Sequence, residues 1–586
     1  MGRPGLAAGA VSTFTRLRAL VRLNPGGVLD AVGRAYQDRP LLFPDEPLDY
    51  PGYGTASLTG GQLRSLGHRL AHALQGLGVR PNTRVVIAQR NHPVYLLHMH
   101  AVILAGGIPV SVNAATGAQF LADVTEHTGA ALVLTDPATI SRATASPAGQ
   151  APLRRLLQRG VTLCVASGAD RMAVPVTELA PLVAAAPDTS VPARRVASDT
   201  VVAMFHTSGT TGTPKLCVWN GANSRRIWKI MMATLPAGAR TRLLVAVPFS
   251  HALFFALGTG VLLCGARLHA QSDLEPERLL HNIARHRATS VFAFPHLYMR
   301  AVAGDLDSHD LSSVKIWATG ADKAHAAHIA QLTRRGGLRL APWLPRGSLF
   351  LDSYGSTEIG AGGIMQLWPP GSTPQPCLQG TPMPTQFAYR IVDEAWRDVP
   401  AGTEGRILVR STTAFAGYWN NHDRWVASRV DGWWWAGDVG CRDRRGRLLF
   451  LDREADSVHT AYGVLRTLPV EERLLAHPQV MEAAVFQAGR DPDGLGHAVA
   501  LVAPRGALKA ADLDASGLDR GRLAEELREW ANTGRSGPPL AAVRVVGLDE
   551  IPFGVTGKVL KTRLREAYAA GPPAFHQYDR ATGVPG

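Results

Sequence analysis

The segment from Val201 to Lys215 joins an apolar run to a loop made almost entirely of small and hydroxyl-bearing residues. It reads V-V-A-M-F-H-T-S-G-T-T-G-T-P-K. The apolar run is typical of a short buried strand, and the glycines, serine and threonines after it are typical of a loop. The sequence therefore predicts a sheet in which a polar loop follows a buried strand.

The composition of this loop favours a polyphosphate ligand. Gly209 and Gly212 let the backbone turn tightly and present successive N–H groups to an anion. Hydroxyl donors and a positive charge are added by Thr207, Ser208, Thr210, Thr211, Thr213 and Lys215. The loop is not a Walker A motif, because Pro214 stands where that motif has its second glycine. The alternative interpretation is a polar surface loop without a ligand.

The loop resembles the phosphate-binding motif of the ANL superfamily of adenylate-forming enzymes, which includes acyl-CoA synthetases, peptide-synthetase adenylation domains and luciferases. The match extends to Lys215 and ends at Leu216, where the motif has glycine. The resemblance implies a large N-terminal domain of mixed and parallel sheets flanked by helices, and a small mobile α+β C-terminal domain. The expected organisation is an extension at 1–29, an AMP-binding domain at 30–451 and a lid at 452–586.

Helical patterns and short β-branched runs alternate along the first part of the chain. Helices are predicted at 58–77, 95–105 and 116–128, and strands at 85–88, 108–112 and 131–135. Such alternation indicates an α/β fold with a parallel sheet covered on both faces. The same alternation recurs from 243 to 317.

Composition limits the class of protein. A chain of 586 residues with 46% apolar and 18% charged residues is globular and needs at least two domains. The net charge of +14 favours an anionic ligand. No basic block, zinc spacing or aromatic RNA motif is present, so a nucleotide is expected rather than nucleic acid. No apolar run reaches the length of a membrane span. Five widely spaced cysteines favour the reducing cytoplasm.

A second motif, D-S-Y-G-S-T-E, covers Asp352 to Glu358. It offers an aromatic ring for a base, close backbone approach, a hydroxyl group and a carboxylate suited to Mg²⁺ beside phosphates. It resembles the Y-G-x-T-E motif of the ANL superfamily. The resemblance implies that Tyr354 stacks on adenine, Thr357 contacts phosphate and Glu358 holds Mg²⁺.

Two later segments resemble the nucleotide-binding elements that follow in the superfamily. Gly437-Asp438 resembles its T-G-D element, with Ala436 in place of threonine, and implies that Asp438 accepts hydrogen bonds from the ribose hydroxyls. Arg453, in L-D-R-E-A-D, matches an arginine near the ribose and phosphate. In full, the expected nucleotide contacts are Thr207, Ser208, Gly209, Thr210, Thr211, Gly212, Lys215, Asp352, Tyr354, Gly355, Thr357, Asp438 and Arg453.

The hinge region departs from the superfamily pattern. Ala455 stands at the pivot, where aspartate or lysine is common, and His459 and Tyr462 stand where a lysine and a glycine-rich turn are usual. The string from Arg453 to Thr467 resembles one loop of the olefin β-lactone synthetases. An acceptor other than a thiol is therefore an alternative for the second step.

The segment I-P-F-G-V-T-G-K-V-L-K at 551–561 resembles the superfamily's C-terminal lysine motif. The resemblance implies that Lys558 closes over the reacting carboxylate and the α-phosphate. For the acid, the candidate contacts are His251, Phe255 and Gly320, and a structural role for His251 is the alternative. Aromatic residues in this region are more often part of the core.

The sequence thus predicts ATP- and Mg²⁺-dependent conversion of a carboxylic acid to acyl-AMP, with release of pyrophosphate. The expected second step is transfer to a thiol of CoA or of a carrier protein. The alternatives are capture by an internal hydroxyl, an amine or another nucleophile, or a non-catalytic nucleotide-binding protein.

Overall fold

The computed structural model describes residues 23–53, 56–207, 215–235, 238, 240–343, 345–361 and 363–569. Over these ranges, two large sheets and their helices form the body of the molecule, and a smaller unit follows Arg453. The helices are Val28–Ala35, Gly60–Gly76, Tyr95–Leu104, Ala118–Thr128, Pro137–Thr144, Pro147–Gln158, Leu179–Ala185, Gly221–Thr234, Ala252–Leu263, Pro276–His286, Pro295–Ala303, Ala326–Thr333, His422–Ala427, Thr467–Leu475, Ala510–Ser516, Arg520–Asn532 and Lys561–Ala569.

The first sheet, of fourteen strands in the described chain, has a parallel half and an antiparallel half. In spatial order its strands are Phe387–Val392, Glu404–Ser411, Trp433–Arg442, Leu448–Arg453, Leu378–Pro382, Ile364–Trp368, Leu349–Tyr354, Ile316–Thr319, Ser290–Ala293, Arg242–Ala246, Arg267–Ala270, Pro40–Pro44 and Leu58–Thr59, with Arg429–Val430 paired to Trp433–Arg442. The strands from Leu349–Tyr354 to Pro40–Pro44 run parallel.

The second sheet contains eight strands over the described ranges. In spatial order these are Gly417–Tyr418, Leu216–Asn220, Val201–His206, Ile108–Ser111, Arg84–Ala88, Leu132–Thr135, Thr162–Val165 and Thr177–Glu178. The strand Val201–His206 and the Leu216–Asn220 strand that follows it are antiparallel neighbours. The predicted loop after the buried strand therefore connects these two strands, and its residues 208–214 lie outside the described residues.

The main core lies between these sheets and their helices. Most strand side chains there are buried on both faces, as expected of parallel strands covered by helices. Leu23, Val28 and Leu29 are buried in this core. Residues 23–29 of the expected extension therefore pack with the body, and residues 1–22 lie outside the described residues.

The smaller unit contains a hairpin, a three-stranded sheet and four helices within its described part. Its strands are Val458–Thr460 with Gly463–Leu465, and Val480–Ala488 with His497–Pro504 and Ala542–Val545. It has its own core, which includes Val485, Val502 and Leu527. The predicted α/β body with a small α+β unit is confirmed. Among the described residues, no helix combines the length and the apolar composition needed to cross a membrane.

Candidate active site

A cavity of about 570 Å³ opens between the two large sheets and the smaller unit. Its walls include residues just after parallel strands, such as His251 and Ala321. Ligands of open α/β sheets bind at this edge, beyond the carboxyl ends of the strands. The motif residues Thr207, Lys215, Tyr354, Gly355, Thr357, Glu358, Asp438, Arg453 and Lys558 all line the cavity.

Tyr354 and Asp438 lie in contact with each other on the cavity wall. The Tyr354 hydroxyl donates a hydrogen bond to Asp438 Oδ2, and Arg453 Nε lies 3.5 Å from Asp438 Oδ1. Asp438 and Arg453 face each other on antiparallel strands. Burial raises the pKa of Asp438, and the Arg453 charge and the Tyr354 hydrogen bond oppose that rise. A carboxylate held beside an aromatic ring can accept ribose hydroxyls while the ring covers a base.

The phosphate loop, residues 207–215, begins and ends at this cavity. Thr207 N donates a hydrogen bond to Lys215 O over 3.0 Å, so the two ends of the loop are held together. Ser208, Gly209, Thr210, Thr211 and Gly212 lie outside the described residues. Burial is the main cause that lowers the pKa of Lys215.

Glu358 also lines the cavity and accepts a hydrogen bond from the Tyr418 hydroxyl over 3.1 Å. In the described chain, no lysine or arginine lies within ion-pair distance of Glu358, and no group of three metal-binding side chains is present. One carboxylate completed by phosphate oxygens and water is the donor set that Mg²⁺ prefers. Glu358 therefore fits a magnesium ion that arrives with ATP.

Lys558 lies on the lid turn, residues 551–561, which is docked on the body. Gly554 N donates to Lys558 O, and Gly557 N donates to Gly554 O, each over 2.8 Å. Gly557 has φ +77, and a Cβ there would lie 2.4 Å from His296 Cβ. The His296 ring also contacts Phe553, with ring centroids 4.1 Å apart. The close approach at Gly557 brings Lys558 into the cavity.

His251 lines the cavity near Lys558, and it also caps a helix. Its Nδ1 accepts a hydrogen bond from Leu253 N over 3.2 Å, which leaves Nε2 as the other polar atom of the ring. Burial, helped by the charges of Lys558 and His206, lowers the pKa of His251 to about 3. The imidazole is therefore neutral at physiological pH. Asn113, His206 and Ser250 also line the cavity and offer polar side chains there, beside the apolar Pro248, Pro295 and Met299.

Phe255 and Gly320 do not line the cavity, which corrects two expected contacts with the acid. Phe255 is buried and packs on Trp228 and Phe205, with ring centroids 5.4 and 5.8 Å apart. Gly320 lies against Ser353, whose Oγ would be 2.8 Å from a Cβ at residue 320. The following residue, Ala321, lines the cavity instead.

Asp352 is part of a buried ion pair rather than of the cavity wall. Its carboxylate is fully buried and pairs with Lys323 Nζ, which also donates to Leu378 O over 3.2 Å. Asp352 lies on the strand Leu349–Tyr354 of the first sheet, and Lys323 lies on the loop that follows the neighbouring strand Ile316–Thr319. The expected nucleotide contact at Asp352 is therefore replaced by a structural role.

Three cations that line the cavity were not predicted: Lys323, which pairs with Asp352, and also Lys561 and Arg424. Lys561 Nζ donates to Glu471 Oε1 over 2.8 Å and to Thr467 Oγ1 over 2.6 Å. Arg424 lies on the short helix His422–Ala427. Lys561 stands within the same motif as Lys558, three residues later, and that spacing was the available signal. Arg424 carries no motif.

The family of AMP-binding enzymes matches residues 30–419 of the chain. The chain belongs to this family. Within it, the chain is 29% identical to a 3-aminoavenalumate diazotase of Streptomyces sp over 563 residues, which cover 92% of this chain and 95% of the relative. It is 28% identical to a feruloyl-CoA synthase of Amycolatopsis sp over 521 residues, which cover 88% and 95%.

Solved structures of similar fold cover most of this AMP-binding enzyme. An anthranilate CoA ligase in complex with anthranoyl-AMP has a TM-score of 0.76 at 19% identity, covering 93% of this chain and 97% of that one. An amide bond synthetase from Marinactinospora thermotolerans has a TM-score of 0.72 at 22% identity, covering 93% and 100%. The predictions of an ANL adenylate-forming enzyme and of an AMP-forming ligase are confirmed.

Proposed function

We propose that the protein converts an aromatic carboxylic acid with polar ring substituents to acyl-AMP, and then transfers the acyl group to a thiol. The observation that carries this proposal is the docked lid turn. It places Lys558 in the same cavity as Tyr354, Asp438 and the ends of the phosphate loop. A lysine supplied from a second unit completes a site for two anions, a carboxylate and a triphosphate.

The residues support adenylation as follows. Tyr354 and Asp438 orient the nucleoside, while Lys215 and Lys558 offset charge on the phosphates and on the carboxylate. A carboxylate oxygen attacks the α-phosphorus, the bond to the β-phosphate oxygen breaks, and pyrophosphate leaves with its electron pair. Magnesium held by Glu358 would supply further positive charge at the phosphates. Positioning two anions against their repulsion is the main contribution of the protein.

The polar side chains of His206, Ser250 and His251 at the cavity support an acid with hydrogen-bonding substituents. The phenylalanines of this region pack into the core instead of forming an apolar slot. The relatives agree with this assignment, since they include the feruloyl-CoA synthase and a 4-hydroxybenzoate/benzoate CoA ligase of Rhodopseudomonas palustris, 28% identical over 531 residues. We infer CoA or a carrier pantetheine as the thiol. The five cysteines, all free, support a cytoplasmic location.

A non-thiol acceptor is the second candidate, and the hinge hairpin favours it. Tyr462, at the tip of the hairpin Val458–Leu465, is 79% exposed, and His459 is exposed beside it. These two residues stand where the superfamily pattern has a lysine and a glycine-rich turn. The diazotase relative and the amide bond synthetase fold neighbour show that proteins similar to this chain are not all CoA ligases.

One experiment separates these functions. Pyrophosphate release is measured with ATP, Mg²⁺ and a panel of hydroxy- and aminoaryl acids, fatty acids and β-hydroxy acids, with and without CoA, and products are read by mass spectrometry. Aryl-CoA formed only with CoA supports the proposal. Acyl-AMP, amide or lactone formed equally well without CoA supports the second candidate. Absence of pyrophosphate with every acid would leave a nucleotide-binding protein.

A further inference from the structure

Arg424 faces the cavity from the short helix His422–Ala427. Arg424, Ala427 and Ser428 all line the cavity. Residues spaced three and four apart lie on one face of a helix, so this face is the one turned to the cavity. Trp425 lies off that face and packs on Gly417, where a Cβ would be 3.5 Å from Trp425 Cδ1.

Contacts at both ends fix this helix beside the phosphate loop. Before it, Tyr418 pairs with Cys217, and Trp419 N donates to Leu216 O over 2.9 Å. Cys217 and Leu216 directly follow Lys215. After the helix, Trp435 N donates to Ser428 O over 2.8 Å, on the strand that carries Asp438. The helix that carries Arg424 is thus held between the strand Leu216–Asn220, which follows Lys215, and the strand Trp433–Arg442, which carries Asp438.

Three cations at this cavity lack an acidic partner. Among the described residues, no carboxylate lies within ion-pair distance of Lys215, Arg424 or Lys558, although all three line the same cavity. After burial, the charge of Arg424 is the largest cause that lowers the pKa of Lys215. Like charges gathered without acidic partners are stabilised when an anion binds between them.

We propose that Arg424 binds the β- and γ-phosphates of ATP, and with them the pyrophosphate product. A guanidinium offers parallel N–H donors that match two phosphate oxygens, which a lysine cannot do. Tyr354 and Asp438 hold the nucleoside at the other end of the ATP molecule, so Arg424 distinguishes triphosphate from monophosphate. This inference rests on ATP use by the family and goes beyond the proposed acid and acceptor.

Binding measurements test this role without catalysis. Isothermal titration of the full chain with ATP, AMP or inorganic pyrophosphate, each with Mg²⁺, is compared between the wild type, Arg424→Gln and Arg424→Lys. We expect Arg424→Gln to weaken ATP and pyrophosphate about 10- to 100-fold, the range for hydrogen bonds to a charged group, with AMP changed less than twofold. Arg424→Lys should recover part of the loss.

The matched control is Arg429→Gln. Arg429 stacks on Trp425, with its Cζ 4.9 Å from the ring centroid, and does not line the cavity. Arg429→Gln should leave the affinities for ATP, AMP and pyrophosphate unchanged. Equal losses of ATP and AMP affinity in Arg424→Gln, or no loss of either, would overturn the assignment. If the wild-type protein does not bind ATP, both this inference and the proposed function are wrong. If it binds ATP but releases no pyrophosphate with any acid of the panel, only the proposed function is wrong.

Discussion

Lys558 and Lys323 both line the cavity, but their surroundings differ. Lys323 is buried and paired with Asp352, and it lies on the loop between strand Ile316–Thr319 and helix Ala326–Thr333. Lys558 lies on the lid turn and has no acidic partner within ion-pair distance in the part of the chain that the structure describes. One lysine therefore stabilises the body, and the other carries a charge available to a substrate.

Replacing Lys558 with alanine tests whether its charge assists the reaction. Loss of a positive charge where negative charge develops costs about 100- to 1000-fold in rate. We therefore expect Lys558→Ala to slow pyrophosphate release by that factor while the melting temperature stays unchanged. Lys509→Ala, which removes an exposed lysine of the same small unit, is the control. Comparable activity in Lys558→Ala and the control would contradict the assigned role.

Replacing Asp352 tests whether the buried Lys323–Asp352 ion pair stabilises the protein. Asp352→Ala leaves the Lys323 ammonium buried without its partner, and breaking such a pair costs about 3–5 kcal/mol. Urea unfolding, monitored by tryptophan fluorescence, should have its midpoint at a lower urea concentration in Asp352→Ala than in the wild type. The double variant Lys323→Met/Asp352→Leu should regain part of this loss, since it leaves no buried charge. A single variant as stable as the wild type would show that the pair contributes little.

At the level of residues, local motifs predicted candidate site residues, but they did not predict contacts between residues far apart in the sequence. Tyr354, Glu358 and Lys558 were proposed from local strings, and the structure gathers them at one cavity. The partner of Asp352 is 29 residues away, on a loop that no motif connects to it. Nothing in the string D-S-Y-G-S-T-E therefore distinguishes a buried carboxylate from a ligand.

At the level of elements, the sequence predicted the helices at 58–77 and 95–105, but it did not predict which face of an apolar helix lies toward the cavity. The helix expected at 58–77 is observed as Gly60–Gly76, with Thr59 and Gln62 forming a capping box at its start. The helix Ala252–Leu263 is buried on almost every side. A helix that is apolar all round gives no periodic signal for the face that it turns to a cavity, so the sequence left both a core position and a cavity contact open for Phe255.

The lid turn gives a prediction about an element. Gly557→Ala places a Cβ against His296 in a left-handed backbone conformation, so the turn cannot dock as it does here. We expect pyrophosphate release to fall about tenfold or more, in proportion to the loss of positioning by the lid. Release is measured at saturating ATP and acid.

Gly517→Ala is the control for backbone strain in the same unit. Gly517 has φ +66, close to the +77 of Gly557, and a Cβ there would meet nothing within 4 Å. Both variants should lose similar stability, and activity should fall only in Gly557→Ala. Equal activities would show that the contact with His296 does not position Lys558.

At the scale of the whole molecule, an ion pair joins the body to the small unit. His325 Nδ1 lies 3.2 Å from Glu472 Oε1, and Ala326 N donates to Glu472 Oε2 over 3.2 Å. Burial opposes protonation of His325, but its hydrogen bond to Glu472 and the charges of Glu472, Glu482 and Glu471 raise its pKa to about 9. The docked arrangement therefore includes a charged histidine at neutral pH.

This pair predicts a pH dependence of stability. Because the pKa of His325 is raised above its unfolded value near 6.5, its contribution of about 3 kcal/mol is fully present below that value and is lost as the pH rises through 9. Thermal unfolding of the wild type and of His325→Gln, which keeps a polar side chain without the charge, should differ at pH 6 and converge toward pH 10. A constant difference across this range would contradict the prediction.

The placement of Lys558 on the smaller unit has a kinetic consequence. The proposed nucleoside contacts belong to the body, while the lid turn brings Lys558, the charge proposed to assist the reaction, to the cavity. On the proposed function, ATP bound to the body alone lacks this charge. We therefore expect ATP hydrolysis to stay slow until the acid is bound and the lid turn is docked.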